Sequence, residues 1–338
     1  MKIAVSGINA TDNPGPGVAV ARSLKEYDPS IQIIGLSYDR NDPGHFLTQY
    51  IDKSFMLNIP SHGWSGIFNK LLEIKNTHGL DMVIPCLDAE LPLYIKHKDD
   101  LEKAGIKTFL PTAQQFNMRD KAELDLLSKS IGLKYPKTYL VNTVDEIDKV
   151  VNEENLTFPL VVKGKYYKAY VVHNILQCKL RFQEIAIEWG APILLQKCVS
   201  GEEFNLVGVG DGEGGDLGVF AIKKLTTTSI GKIWSGVTVK NKDLITTAKK
   251  FIKETKWKGP FELECIFNPT DLYLIEINPR FPAWVYFSTG CGQNLLGNIL
   301  DYQKGKVVNV LDETPEGKLF IRYTEELITE INDFSKIG

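Results

Sequence analysis

The chain has 338 residues, more than one compact core usually organises, so two or three domains are expected. Hydrophobic residues at 43% and charged residues at 24% lie in the globular range, which excludes a disordered, collagen-like or coiled-coil protein. Lys+Arg 39 against Asp+Glu 42 gives a formal net charge of −3, so no global positive field exists to hold a nucleic-acid backbone or an anionic membrane.

From residue 1 to about 110, short apolar runs alternate with amphipathic stretches: Ile3 to Val5, Val18 to Lys25, Ile31 to Leu36, Ile67 to Ile74 and Met82 to Pro85. The order is strand, helix, strand, helix, strand, which predicts a parallel sheet with helices on its faces and ligands beyond the carboxyl ends of its strands. The first turn contains Asn13-Pro14-Gly15-Pro16-Gly17, which lacks both the G-x-G-x-x-G spacing and a Walker lysine and reads as a proline-stiffened connection. Ile3-Ala4-Val5 is too short for a signal peptide, and no stretch reaches the ~20 consecutive apolar residues of a bilayer span. The five cysteines are scattered and form no C-x-x-C pair, as expected of reduced thiols. A cytoplasmic protein with no membrane and no nucleic-acid partner is expected.

A new unit opens near Asp120-Lys121-Ala122-Glu123-Leu124, whose helix runs to a glycine stop at Gly132. A capped helix from Thr143 to Val151 follows, then the strand Leu160 to Lys163, the strand Val171-Val172, a helix from Leu180 to Trp189 and the strand Ile193 to Gln196. From Gly201 onward longer, antiparallel-looking strands appear: Phe204 to Val209, Gly218 to Leu225, Phe261 to Phe267 and Leu272 to Ile277, with a helix from Leu244 to Thr255 among them. The glycine-rich Gly210 to Gly218 reads as a solvated hairpin loop. The expected division is 1–112, 113–195 and 196–338, and the fold class is α/β and α+β.

The chemistry concentrates in Glu262-Leu263-Glu264-Cys265 and in Glu276-Ile277-Asn278-Pro279-Arg280. Residues two apart on a strand share a face, so Glu262 with Glu264, and Glu276 with Asn278 and Arg280, can project together. Carboxylates and an amide oxygen are hard ligands of the kind Mg²⁺ accepts, and an arginine beside them suits a phosphate oxygen. Satisfaction by local salt bridges is the plainer alternative, but it fits poorly with a strand as apolar as Leu274, Ile275 and Ile277 make this one.

At these residues the chain resembles the ATP-grasp superfamily, in its carbamoyl-phosphate-synthetase-like and biotin-carboxylase-like branch. Asp120-Lys121, Phe158 to Lys163, Gln196 to Glu203 and Glu276 to Arg280 occur in the order of that superfamily's motifs. The resemblance implies an ATP-grasp fold preceded by an N-terminal Rossmann-like parallel-sheet (pre-ATP-grasp) domain, the cofactors ATP and Mg²⁺, and Mn²⁺ as a substitute metal. It implies that Lys121 and Lys163 contact nucleotide phosphates, that Gln196 and the backbone of Lys197 and Val199 face the adenine, and that Glu203, with Glu202 as its rival, binds the ribose. Glu264, Glu276 and Asn278 match the metal-bridging set. Arg280 and Lys223 match the cations on the transferring phosphate, with Lys224 left open as the alternative.

The implied activity is ATP-dependent ligation of a carboxylate to an amine or thiol through an acyl phosphate, on small-molecule substrates, with a homo-oligomer left open. Two features leave room for other readings. Lys165 to Tyr170 replaces the family's glycine-rich phosphate loop, so either lysine ammoniums and tyrosine hydroxyls close on ATP, or the protein is a nucleotide sensor without turnover. Phe281 and Trp284 suit either a planar substrate or the core, Asp88-Ala89-Glu90 either a substrate ammonium or a helix cap, and Cys291 has no partner motif for a nucleophile.

Overall fold

The computed structural model describes every residue except Asp12, Lys121, Ala122, Lys165, Tyr166, Tyr167, Ser229 and Ile230. The chain divides into two compact units, one of Met1–Arg119, Phe204–Glu264 and Glu276–Gly338, the other of Asp120–Glu203 and Cys265–Ile275.

The first unit begins with strand β1 (Lys2–Ser6), helix α1 (Gly17–Tyr27), strands β2 (Gln32–Ser37) and β3 (Lys53–Met56), helix α2 (Trp64–His78) and strand β4 (Met82–Ile84). Three short helices follow, α3 (Leu91–Lys96), α4 (Lys98–Lys103) and α5 (Ala113–Asn117). The strands form a parallel sheet in the order β3-β2-β1-β4, with Ile3 opposite both Ile33 and Met82. The expected alternation is therefore present, and both faces of the sheet are covered. Ile3, Val5 and Ile33 enter one core cluster, while Ala4, Ile34 and Leu36 pack with Ile67, Leu71 and Ile74 of α2. The loop after β1 is built on close approach: a Cβ on Gly17 would lie 2.1 Å from the Ser6 carbonyl oxygen.

The second unit holds α6 (Leu124–Ile131), β5 (Thr138–Val141), α7 (Val144–Glu153), β6 (Leu160–Lys163), β7 (Ala169–Val172), α8 (Ile175–Trp189) and β8 (Ile193–Lys197). Gly132 ends α6 in the left-handed region at φ 83°, as its position predicts. The sheet order is β5-β8-β6-β7, and its paired strands are antiparallel. Leu160, Val162, Ile193 and Leu195 pack with Cys178, Phe182 and Ile185 of α8. Strand alternation therefore turns Val161, Lys163, Leu194 and Gln196 to the opposite face.

The rest of the chain supplies β9 (Glu202–Asp211), β10 (Asp216–Thr227), β11 (Ile233–Thr238), α9 (Lys242–Thr255), β12 (Lys258–Phe267), β13 (Leu272–Asn278), α10 (Tyr286–Gly290), α11 (Leu295–Gln303) and β14 (Leu319–Ile321). These strands order as β13-β12-β9-β10-β11-β14. The glycine-rich connection is the β9–β10 hairpin, where Asp211 Oδ1 accepts the backbone N–H of Glu213, Gly214 and Gly215 at 2.7–2.9 Å. No helix among the described residues is long and apolar enough to cross a membrane.

Candidate active site

In the first unit, three neighbouring strands bring two carboxylates and two side-chain amides together. Glu262 on β12 is buried, and its Oε1 accepts from Asn205 Nδ2 of β9 at 2.6 Å and from Trp284 Nε1 at 2.7 Å. Asn278 at the end of β13 donates from Nδ2 to Glu262 Oε2 and to Glu264 Oε1, each at 3.0 Å. One amide thus spans both carboxylates. Period-two geometry made part of this legible: Glu262 and Glu264 share one face of β12, and Glu276 and Asn278 one face of β13.

Lys224 on β10 closes the cluster, its Nζ 2.9 Å from Glu264 Oε2. The strand register explains why it is Lys224 and not Lys223. Asn205 pairs with Ile222, so Ile222 and Lys224 share the face on which Asn205 reaches Glu262, whereas Lys223 pairs with buried Phe204 on the other face. Lys224 is thus the lysine beside the carboxylates, and Lys223 lies on the other face of the sheet.

The two carboxylates differ electrostatically. Burial pushes the Glu262 carboxyl above its ordinary range, with the neighbouring charge of Glu264 adding to the effect. Glu264 is also pushed up by burial, but the Lys224 ammonium and the hydrogen bonds from Lys224 and Asn278 outweigh it and hold Glu264 below the usual range. The Glu264 side chain is 28% exposed.

Arg280 follows at once on the Asn278-Pro279 turn. Its Nε donates to Asp88 Oδ2 at 2.7 Å, and Arg119 Nη1 lies 3.2 Å from Asp88 Oδ1. Burial alone would lower the Arg280 pKa, but Asp88 and Glu262 outweigh it and raise the value. Two cations that the sequence reading passed over lie in the same field. Lys232 Nζ donates to the Pro14 carbonyl at 3.3 Å, and its pKa is lowered by burial and by Arg280 and Arg322. Arg322 Nε donates to the Ile233 carbonyl at 2.9 Å, and burial draws its pKa down to about 10. The signal for Arg322 was present, an arginine closing the apolar run Leu319-Phe320-Ile321; Lys232 sits in an irregular turn and offered none.

The chemistry of the donors fits Mg²⁺: carboxylate oxygens from Glu264 and Glu276 and an amide oxygen from Asn278 would be hard ligands that leave positions for water and phosphate. Among the described residues no group of three or more His, Cys, Asp or Glu side chains forms a ready-made metal cluster.

In the second unit, Lys163 and Gln196 lie on the sheet face turned away from α8. Gln196 is buried and donates from Nε2 to Thr138 Oγ1 at 2.7 Å, which fixes the amide and leaves Oε1 as an acceptor. The Lys197 N–H is taken by the Lys137 carbonyl at 2.9 Å, while Val199 is half-buried and Glu203 exposed. Lys121 lies outside the described residues, as do Lys165, Tyr166 and Tyr167. Lys168 and Tyr170 turn to α8 instead of the Lys163 face: Lys168 Nζ bonds Glu188, and the Tyr170 hydroxyl donates to Glu184 Oε1 at 2.8 Å. In this structure these two residues of the Lys165 to Tyr170 loop are thus tied to α8.

The remaining open choices also resolve. Phe281 is a core residue, and Trp284 is both buried and a donor to Glu262. Glu90 is buried as the acceptor of the Cys86 and Leu87 N–H groups at 2.8 and 3.0 Å and of the Ser6 and Tyr38 hydroxyls, so it shapes the turn after β4. Burial pushes the Cys291 thiol up, away from a thiolate, and all five cysteines are free.

No protein-family model matches the chain. Among curated proteins it is similar to the carbamoyl phosphate synthase large chain of Clostridium acetobutylicum, 22% identical over 198 residues. That match covers 54% of this chain and 18% of the relative, so the chain spans about a fifth of the length of such relatives. Among solved structures it is similar to the biotin carboxylase domain of Hydrogenobacter thermophilus 2-oxoglutarate carboxylase, described as a dimer in complex with MgADP, ADP and bicarbonate. The TM-score is 0.69 at 16% identity, covering 94% of this chain and 73% of that one. The N5-carboxyaminoimidazole ribonucleotide synthetase of Thermus thermophilus also gives 0.69, at 13% identity over 94% of this chain and 81% of that one.

Proposed function

The chain carries an ATP-grasp fold, and on that fold we propose that it is an ATP- and Mg²⁺-dependent ligase joining a small carboxylic acid to an amine or thiol. The observation that carries this reading is the cluster in which Asn278 spans Glu262 and Glu264 with Lys224 alongside. Glu264, Glu276 and Asn278 would hold Mg²⁺, or Mn²⁺ in its place, and the bound ion would supply charge neutralisation on phosphate oxygens. Lys163 and Lys121 would contact phosphates, Gln196 with the backbone of Lys197 and Val199 the adenine, and Glu203 the ribose.

In this reading a substrate carboxylate oxygen attacks the γ-phosphorus, and the bond to the β–γ bridging oxygen breaks. ADP leaves with that electron pair. The acyl phosphate is then attacked at its carbonyl carbon by the amine or thiol, which loses a proton, and phosphate departs. No protein nucleophile is needed, since positioning and charge neutralisation carry phosphoryl transfer. Arg280 and Lys223 would be the cations of that neutralisation, with Lys224, which lies beside Glu264, the alternative, and Lys232 and Arg322 lie in the same field. Cytoplasmic localisation and a homo-oligomer belong to the same proposal.

ADP release from ATP tests it, with Mg²⁺, with Mn²⁺, and with the metal chelated, against pools of amino acids, small carboxylic acids and dipeptides. The proposal expects release that depends on both one pool and the metal; release unchanged by chelation contradicts it. The second reading, a nucleotide sensor, is favoured by the tie of Lys168 and Tyr170 to α8 and expects ATP binding without turnover against any pool.

A further inference from the structure

Resting on that reading, we infer that Asp88 is a positioning residue that aims the Arg280 guanidinium at the transferred phosphoryl group. Asp88 stands in the turn after β4, at the carboxyl end of the parallel sheet. The turn is held from within: Glu90 accepts the N–H groups of Cys86 and Leu87 and the hydroxyls of Ser6 and Tyr38, and the Cys86 N–H also reaches Ser6 Oγ at 2.8 Å. Asp88 is therefore offered from a braced loop, not from a free one.

Its two oxygens have separate duties. Oδ1 is engaged by Arg119 Nη1 at 3.2 Å, and Arg119 is itself placed over the Phe116 ring at 4.0 Å. Oδ2 takes Arg280 Nε at 2.7 Å. The Arg280 guanidinium has five N–H donors in a rigid plane. One goes to Asp88 and one, from Nη1, to the Phe281 carbonyl at 3.3 Å. The donors left over lie in the plane those two bonds set, so Asp88 determines where the guanidinium points.

Asp88 and Arg280 have 21% and 17% of their side chains exposed and are 192 residues apart in sequence, and the arginine that Asp88 orients follows directly on the Glu276-Ile277-Asn278-Pro279 motif. A misplaced clamp can cost ~100-fold in rate.

The test compares binding of MgADP with binding of MgADP plus beryllium fluoride, a mimic of the γ-phosphoryl group, by titration calorimetry. In wild type beryllium fluoride should tighten binding. Asp88→Asn should lose ~10-fold or more of that gain while leaving MgADP binding alone unchanged. In an Arg280→Lys background, Asp88→Asn should cost nothing further. Equal weakening of both ligands, or additive losses in the double variant, would overturn the inference. A crystal structure of Asp88→Asn decides it separately from the ATP reading. Arg280 displaced from its present position supports the inference, and Arg280 unmoved removes it. Wild type that binds no MgADP would retire the ATP reading itself.

Discussion

Glu262 accepts from Asn205, Trp284 and Asn278, so every change at this carboxylate is felt by three donors at once. In Glu262→Gln the carboxamide has one acceptor oxygen, and its NH₂ faces either Asn278 Nδ2 or the Asn205 and Trp284 donors. A buried donor left without an acceptor costs ~1–3 kcal/mol, and the unfolding free energy should fall by that amount; an unchanged denaturation midpoint would refute the network. The pairing of Glu262 with Glu264, and of Glu276 with Asn278, was readable because strand period puts residues two apart on one face. The preference for Lys224 over Lys223 was not, because it depends on the β9–β10 register, which no single strand's sequence contains. Asp88 was noticed for its place beyond a strand end, but its partner lies 192 residues away and is visible only in the fold.

At the scale of elements, α1 and α11 meet closely enough that a Cβ on Gly297 would lie 2.3 Å from Tyr27 Cδ2. The Tyr27 hydroxyl donates to Asp301 Oδ1 at 2.5 Å. Burial, with the hydrogen bond and charge of Asp301 adding, pushes the Tyr27 pKa up to about 12 from 10.0. The folded state therefore favours the neutral phenol, and this contribution is whole below pH 10 and lost as pH rises from 10 toward 12. Between pH 9 and pH 11 the urea midpoint should fall more steeply in wild type than in Tyr27→Phe; parallel declines would show that the contact carries no such linkage. Long periodic elements such as α1, α2 and β12 were legible because burial on one face leaves a pattern. The strands β3, β5, β11 and β14 were missed because Lys53–Met56, Thr138–Val141 and Leu319–Ile321 are too short to show alternation, and Ile233–Thr238 contains Ser235 and Gly236. Helix α8 begins five residues before the expected Leu180 because Asn174 caps it, accepting the Gln177 N–H at 2.9 Å.

For the whole molecule, the chain order of motifs, parallel sheet first and the Glu276 to Arg280 strand end last, was readable from sequence, and the likeness to solved ATP-grasp structures over 94% of the chain bears the fold out. Which acid and which nucleophile the proposed ligase would join was not readable, because such contacts come from loops and strand ends that each chain on a shared scaffold builds for itself. The measurement bearing most directly on the account is Mg·ATP-dependent ADP release by wild type beside Glu276→Ala, with melting temperature followed in both. The account predicts that the variant melts close to wild type and loses ~100-fold or more of its turnover, the scale of removing one preorganised electrostatic group. Turnover at the wild-type rate in a folded Glu276→Ala protein would contradict it.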